Sequence, residues 1–330
     1  MTHVVVQTDH APFLVPHTRE AGRLAAGGIS LVEGSWDTPD TLVANAGDAD
    51  VLWVAWKPYV DAAILEALPR VRLVVRWGIG YEQIDTTAAT RLGVAVANAP
   101  TYGTEDVAEH AITLLLALER RLVFHASDMQ RGGWTPPEPG TIRRVSGRTL
   151  GLLGVGRIGA ALARRAKALG LDVVGYDLVR SPEELAALGV EAVPLEVLAE
   201  RSDYVSVHVP HTPQTEGIVN RAFLDRMAPT SFLINTSRGR VVDEADLTEA
   251  LAEGRIAGAG LDVFVEEPLD PASPLRALPN VILTPHYAGY SEEAWTDLRE
   301  EMCTTTIEFL GTGWASTIVN PEVRSVLRGT

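Results

Sequence analysis

The stretch TLGLLGVGRIGAALARRAKALGLDVVGYD, residues 149–177, leaves little choice of fold. An apolar run, Leu150 to Leu153, leads into Gly154, Gly156 and Gly159 at G-x-G-x-x-G spacing, and a good helix former follows from Arg157 to Leu169. A second apolar run ends in Asp177, eighteen residues beyond Gly159. Three spaced glycines alone would mark only a strand-to-helix turn. With a strand before them and an acid at the next strand's end, they predict a dinucleotide-binding βαβ unit. The first glycine permits the tight turn, the second lets backbone approach a pyrophosphate, and the third lets helix and strand pack closely. Amides at the helix start, around Arg157 and Ile158, would face the phosphates. Asp177 can accept hydrogen bonds from both ribose hydroxyls and would repel a 2′-phosphate, which predicts NAD(H) in preference to NADP(H). Arg180, three residues on, is the side chain that would favour the phosphate instead.

The rest of the chain follows the same alternation. In the first third, strand candidates lie at 3–8, 50–56, 72–77 and 94–98, with an amphipathic helix at 59–68. Beyond the glycine loop, strands are predicted at 171–177, 202–210, 230–237, 256–264 and 281–285. This pattern predicts an α/β protein of two doubly wound parallel-sheet domains. The longest helical pattern, 104–124, is apolar on several faces and is expected to pack at a domain boundary or against a second subunit. GGWTPPEPG, residues 132–140, has six Gly or Pro in nine positions and must be loop. The last helix, 291–311, opens on a Ser291 N-cap followed by acidic residues.

At 330 residues and 46% hydrophobic, the chain can bury two ordinary cores. Its net charge of −15 speaks against nucleic-acid binding through a basic face. The single cysteine, Cys303, excludes a disulfide framework and fits a reducing compartment. The opening MTHVVVQTDH lacks the basic and apolar regions of a signal peptide, and no apolar run approaches the roughly 20 residues that cross a bilayer. The expectation is a soluble cytoplasmic protein with no membrane partner. A metal site is not expected either, because Cys303 is alone and His208 and His211 share a proline-bearing loop.

In a doubly wound sheet, ligands gather beyond the carboxyl ends of the strands. Those tips here read HVPHTPQT (208–215), NTSRG (235–239), LDVFVEEP (261–268) and TPHYAG (284–289). Arg238, a Glu and His286 thus fall at three successive tips. Singly, each has a bland reading: a turn cap, a solvated loop residue, an idle imidazole. Together they are what hydride transfer to a keto acid requires. An imidazolium gives a proton to the carbonyl oxygen, a neighbouring carboxylate keeps the imidazole protonated, and a guanidinium grips the substrate carboxylate in a fork geometry.

Four segments, LGLLGVGRIG, INTSRGRVVDEADLTEAL, AGAGLDVFVEEP and NVILTPHYAG, resemble the NAD-dependent D-isomer-specific 2-hydroxyacid dehydrogenases, and the resemblance extends over nearly the whole chain. It implies a substrate-binding arginine at Arg238, a proton donor at His286 and its paired acid at Glu267. Glu266 is passed over because the family's acid directly precedes a proline, here Pro268. Also implied is a Rossmann cofactor domain, 103–289, inserted in a flavodoxin-like substrate domain of 1–102 plus 290–330. A cleft would lie between them, closing on hinges after NAPTYG and HYAGY. Further cofactor contacts would come from Thr104, Val209, Pro210, Thr212, Thr215, Thr236, Ser237 and Gly289, with Asp262 meeting the nicotinamide carboxamide. The helix 104–124 resembles the family's dimerisation element, implying a homodimer through the cofactor domain. The expected product of reduction is the D hydroxy acid.

Substrate choice stays open at this level. RWGIGYEQID (76–85) resembles the family's carboxylate-binding loop, with amides around Gly78, Ile79 and Gly80. That loop, YGTEDVAEHAITLLLAL and HYAGYSEEAWTDLREE look most like the C-terminal binding protein branch, whose animal members are NAD-sensing corepressors. A scaffold is therefore the alternative to an enzyme, although Gly289 replaces that branch's tryptophan. If Arg76 and Lys57 both face the substrate, a second acidic group (phospho, phosphono or carboxylate) is implied. Trp56 and Lys57, at a strand tip, could contact the substrate's far end. If Trp77, Tyr287, Tyr290 and Trp295 line the pocket instead, the substrate is bulky and apolar. Formate and phosphite dehydrogenases share most motifs and fit less well: the former use an amide where Glu267 stands, the latter a lysine near Arg76.

Overall fold

A computed structural model describes residues 2–9, 18–138 and 142–329. The predicted loop at 132–140 is coil from Gly133 to Glu138, and its last two positions lie outside the described residues, as do Met1 and His10 of the opening stretch. Contacts between α-carbons divide the chain into two units, Met1–Tyr102 with Ser291–Thr330, and Gly103–Tyr290.

The first unit begins β1 (His3–Gln7), α1 (Thr18–Ala26), β2 (Ile29–Glu33), α2 (Pro39–Asn45), β3 (Val51–Val54), α3 (Ala62–Ala67), β4 (Leu73–Arg76), α4 (Thr86–Arg91) and β5 (Ala95–Ala97). The second starts with α5 (Thr104–Glu119), α6 (Leu122–Gln130), β6 (Thr149–Leu153), α7 (Arg157–Ala168), β7 (Asp172–Tyr176), α8 (Pro182–Ala187) and β8 (Glu191–Ala192). It goes on through α9 (Leu195–Arg201), β9 (Tyr204–Val207), α10 (Arg221–Leu224), β10 (Phe232–Asn235), α11 (Glu244–Ala252), β11 (Gly258–Leu261) and β12 (Val281–Leu283). A final helix, α12 (Glu292–Thr312), returns to the first unit.

Among the described residues, the strands named above pair with one another in parallel. In the first unit the order is β2-β1-β3-β4-β5, the flavodoxin-like arrangement; in the second it is β12-β11-β10-β9-β6-β7-β8. Helices cover both faces of such sheets, so central strands must be apolar on both sides, and β3, β4, β6 and β9 are buried almost throughout. Helix starts carry the expected side-chain caps: Asp61 to the Ile64 amide, Asp85 to Ala88, Ser291 to Ala294, and a Ser181–Glu184 capping box.

Two sequence expectations change. The helix expected over 104–124 stops at Glu119. Arg121 takes a left-handed φ of 51°, and the chain restarts as α6. Apolar periodicity continues through this break, so nothing in the pattern announces it. The break has a packing cause: Glu119 is fully buried, accepting from Tyr204 Oη (2.6 Å) and from the Arg143 amide and guanidinium (2.5 and 3.1 Å). The second change is at the sheet edges: the two-residue β8 is absent from the predicted strands, and so is β2. The latter is an edge strand exposed along most of its length, so its sequence lacks the apolar run that marks its neighbours.

The last helix belongs to the first unit because of its buried face. Leu298, Met302 and Phe309 join the core around Trp53, Leu73 and Val75. Trp53 is fully buried and donates through Nε1 to Thr306 Oγ1 at 2.9 Å, and that hydroxyl donates onward to the Met302 carbonyl. A buried indole N–H without a partner is costly, so Thr306→Val should lower the unfolding free energy by about 1–3 kcal/mol, read from urea denaturation followed by tryptophan fluorescence.

Candidate active site

The strand order reverses at β6, between β7 and β9, and both the glycine loop and the loop after β9 begin there. Gly154 has φ of 93°, and a Cβ on it would meet the His208 carbonyl carbon and Val209 amide at 2.9 Å. Gly159 lies so close under the turn that a Cβ would stand 2.4 Å from the Gly154 oxygen. At Gly156, the N-cap of α7, a Cβ would meet nothing within 4 Å. Two of the glycines are thus required by packing. The third leaves open space at a helix N-terminus, with Arg157 exposed and Ile158 half-buried beside it, where an anion is favoured.

Asp177 caps this arrangement. Its carboxylate accepts from the Val155 amide (2.7 Å) and from the amides of Val179 (2.8 Å) and Arg180 (3.0 Å). Burial works against its charge, but these amides and the Arg180 charge hold its carboxyl below the ordinary aspartate value. Of the residues implied as cofactor contacts, Thr104 and Thr236 have buried hydroxyls with no hydrogen-bond partner among the described residues. Orphaned hydroxyls of this kind suit a ligand's polar edge. Thr215 differs: its hydroxyl donates to the Pro210 carbonyl (2.6 Å) and accepts from the Thr212 amide (2.8 Å), folding the loop on itself. Val209 is buried against Gly154, and Gly289 lies against Gly103 at the start of α5. Below the loop, burial pushes His208 down to about 4, so it is a neutral ring beside Ser206 Oγ (2.8 Å).

The tips of β10, β11 and β12 bring the expected trio together. His286 Nδ1 lies 2.6 Å from Glu267 Oε2, and Glu267 Oε1 accepts from the Phe264 amide at 2.9 Å. Burial raises the Glu267 carboxyl, but the His286 contact, the Phe264 amide and the Arg238 charge together hold it below the ordinary glutamate value. An ionised Glu267 accepts only, so the proton between the pair sits on Nδ1. Arg238 reaches this neighbourhood because Gly239 has no side chain: a Cβ there would fall 1.9 Å from the Phe264 carbonyl carbon. Asn235, which sequence reasoning missed, holds the loop by donating to the Arg238 carbonyl (3.0 Å) and accepting from the Ser237 amide and hydroxyl. His286 itself adopts φ of 52°, a left-handed conformation rare for a residue with a Cβ. Glu266, the neighbouring acid, is exposed. Asp262 is fully buried and accepts from Thr284 Oγ1 (2.5 Å) and the amides of Tyr287 (3.1 Å) and Ala288 (2.9 Å).

Apart from Tyr290, the other expected substrate residues lie in the first unit. Arg76 is only 7% exposed. Its guanidinium donates to Gln83 Oε1 (3.1 Å) and to the Trp77 carbonyl, and stacks 5.4 Å from the Trp56 ring. Gly78 takes φ of 131° and turns its amide to the Arg76 carbonyl at 2.9 Å, while the Ile79 carbonyl accepts from Asn98 Nδ2 and Gly80 is half-buried. Trp77 is buried edge-on to Trp53, making it core. Lys57 is exposed, its backbone fixed with that of Ala55 and Trp56 by the buried carboxylate of Asp9. Tyr290, which belongs to the second unit, is 38% exposed.

A cofactor domain with these features is that of the D-isomer specific 2-hydroxyacid dehydrogenases, whose NAD-binding domain model matches residues 112–288. The chain belongs to this family of NAD-dependent enzymes. It is 43% identical over 288 residues to the glyoxylate reductase of Korarchaeum cryptofilum, covering 86% of this chain and 87% of that one. Similarity to the D-3-phosphoglycerate dehydrogenase of Mycobacterium bovis is 41% over 80% of this chain, which spans about half (50%) of that relative's length. Among solved structures, the NADPH-dependent glyoxylate/hydroxypyruvate reductase of Sinorhizobium meliloti, in complex with NADP and malonate, superposes with a TM-score of 0.85 at 32% identity over 98% of both chains.

The space at Gly156 gives a direct test of where the dinucleotide lies. Gly156→Ala should leave the melting temperature within about 2 °C, since the methyl meets no protein atom, yet weaken NADH binding by about tenfold or more in a fluorescence titration.

Proposed function

We propose that the protein reduces a small 2-keto acid to the D-2-hydroxy acid with NADH, and that His286, Glu267 and Arg238 carry the reaction. The supporting observation is the 2.6 Å pairing of His286 Nδ1 with a carboxylate whose charge Arg238 also favours. Arg238 binds the substrate carboxylate and polarises its carbonyl. His286, charged against Glu267, delivers the Nε2 proton to the carbonyl oxygen. Bound NADH supplies the hydride to the adjacent carbon. Asp177 at the end of β7 favours NAD over NADP, in contrast to the NADP-bound S. meliloti relative. These groups serve turnover, a use that an NAD-sensing scaffold would not need.

A small substrate is favoured because two of the groups that argued otherwise, Arg76 and Trp77, have other work. The Arg76 guanidinium is engaged by Gln83, the Trp77 carbonyl and the Trp56 ring, and Trp77 is core. The 43% identity to a glyoxylate reductase points the same way. One observation supports a second reading: Lys57 is exposed, and the phosphoglycerate dehydrogenase relative suggests a phosphorylated acid that this ammonium would meet.

NADH oxidation against glyoxylate, hydroxypyruvate, pyruvate, aromatic keto acids and 3-phosphohydroxypyruvate separates these readings. Turnover should be greatest on glyoxylate and hydroxypyruvate and fall about a thousandfold or more in His286→Ala. Preference for the phosphorylated acid, lost in Lys57→Ala, would establish the second reading instead. Because the Glu267 carboxyl is held low, its contribution is present above the ordinary glutamate range and is lost only as pH falls through that depressed value. Glu267→Gln removes the imidazolium's counter-charge. Its kcat/KM for reduction should therefore fall by about tenfold or more at neutral pH in the same assay.

The protein is further proposed to form a homodimer through its cofactor-binding unit. Leu122, Val123, Phe124 and Met129 on α6 are 39–59% exposed, and Trp134 beyond it is 83% exposed. So much large apolar surface on one short segment fits a subunit interface. Sedimentation should give a dimer for the parent chain and a monomer for the Val123→Asp, Phe124→Asp double variant.

A further inference from the structure

His286 owes its position to its backbone, and the backbone of residues 286–288 is held from below. The Asp262 carbonyl accepts the His286 amide at 2.8 Å, and the Asp262 carboxylate accepts the amides of Tyr287 and Ala288. This carboxylate is buried, so its orientation depends on what else it touches. Thr284 Oγ1 lies 2.5 Å from Asp262 Oδ1, and His110 Nε2 lies 3.1 Å from the same hydroxyl. A hydroxyl has one proton. If Thr284 gives it to the acceptor-only carboxylate, its oxygen must accept from His110, which fixes the direction of the chain as His110 Nε2–H to Thr284 to Asp262. Burial lowers His110 from the ordinary histidine value although Asp262 works to raise it, so the ring is a neutral donor.

The contacts then close on themselves. The Tyr287 ring packs edge-on against His110, with centroids 4.8 Å apart, while the Tyr287 amide is bound to Asp262. α5 can bring His110 this close because Gly260 on β11 has no side chain: a Cβ there would stand 3.0 Å from Leu114 Cβ, one turn further along the helix.

We propose that His110 is a positioning residue for His286, acting through Thr284 and Asp262 to hold the turn in which His286 adopts its left-handed backbone. This role rests on the proposed acid–base function of His286, but the turn's rigidity can be measured without any substrate. Nothing about His110 touches the reacting atoms. Its effect is on the fraction of molecules in which the imidazole of His286 is correctly placed, and so on kcat more than on KM.

The test combines hydrogen–deuterium exchange of the Tyr287 and Ala288 amides with steady-state kinetics, in the parent protein and in His110→Ala, His110→Gln and Thr284→Val. Loss of one buried hydrogen bond in the chain predicts exchange of those two amides about tenfold faster in His110→Ala and Thr284→Val. It also predicts kcat about tenfold lower, with KM for the keto acid within about twofold of the parent value. His110→Gln, whose amide can donate from nearly the same place, should recover most of both. A helix-packing role alone would leave Gln as poor as Ala and would speed exchange throughout α5, which would overturn the proposal; so would unchanged exchange at Tyr287 and Ala288 in His110→Ala. Should the parent protein turn over no keto acid, the proposed function fails, and the exchange data alone uphold or overturn the positioning of the turn.

Discussion

At several strand ends of the second unit, one piece of backbone lies against another more closely than any side chain allows. Gly159 under Gly154, Gly154 against His208 and Gly239 against Phe264 are such approaches, all shorter than 3.0 Å for an added Cβ. Each brings a separate loop to the carboxyl end of the sheet. The first two shape the helix start for an anion, and the third sets Arg238 beside the His286–Glu267 pair. A parallel sheet fixes which ends of its strands share a side, and these glycines fix how near the loops come once there. Arg238 depends on Gly239 as much as on its own chemistry.

The first unit uses a different device. Its loops after β3 and β4 are held by buried charged side chains turned inward. Asp9 takes three consecutive amides at residues 55–57, and Arg76 ties its own loop to Gln83 and Trp56. Buried charges are tolerated when hydrogen bonds hold them, and both side chains have such bonds.

Features with local causes were readable from the chain. The glycine spacing, the acid at the end of β7, the strands that precede the Arg, Glu and His tips, and the Ser291 cap all follow from sterics or hydrogen bonds within a few residues. What escaped depends on contacts between distant segments. Glu119 ends α5 because Tyr204 and Arg143 meet it, and periodicity has no access to that. The ties of Arg76 to Gln83 and to the Trp56 ring are likewise beyond what the loop's sequence announces. His110 and Thr284, 174 residues apart, sit inside motifs that were recognised, yet neither side chain has a visible purpose until α5 crosses β11. The edge strand β2 was unreadable for the opposite reason, since exposure left it with too little apolar pattern.

The packing of α12 on the first unit also sets an order of events on the ribosome. Residues 1–102 emerge first but cannot complete their core, because Leu298, Met302, Cys303 and Phe309 are among its buried members. Residues 103–290 form a contiguous unit with cores of their own and can fold as soon as they leave the exit tunnel. The segment that is made first is therefore finished last. Throughout that interval its Trp53 indole waits for a hydroxyl encoded more than two hundred and fifty residues downstream.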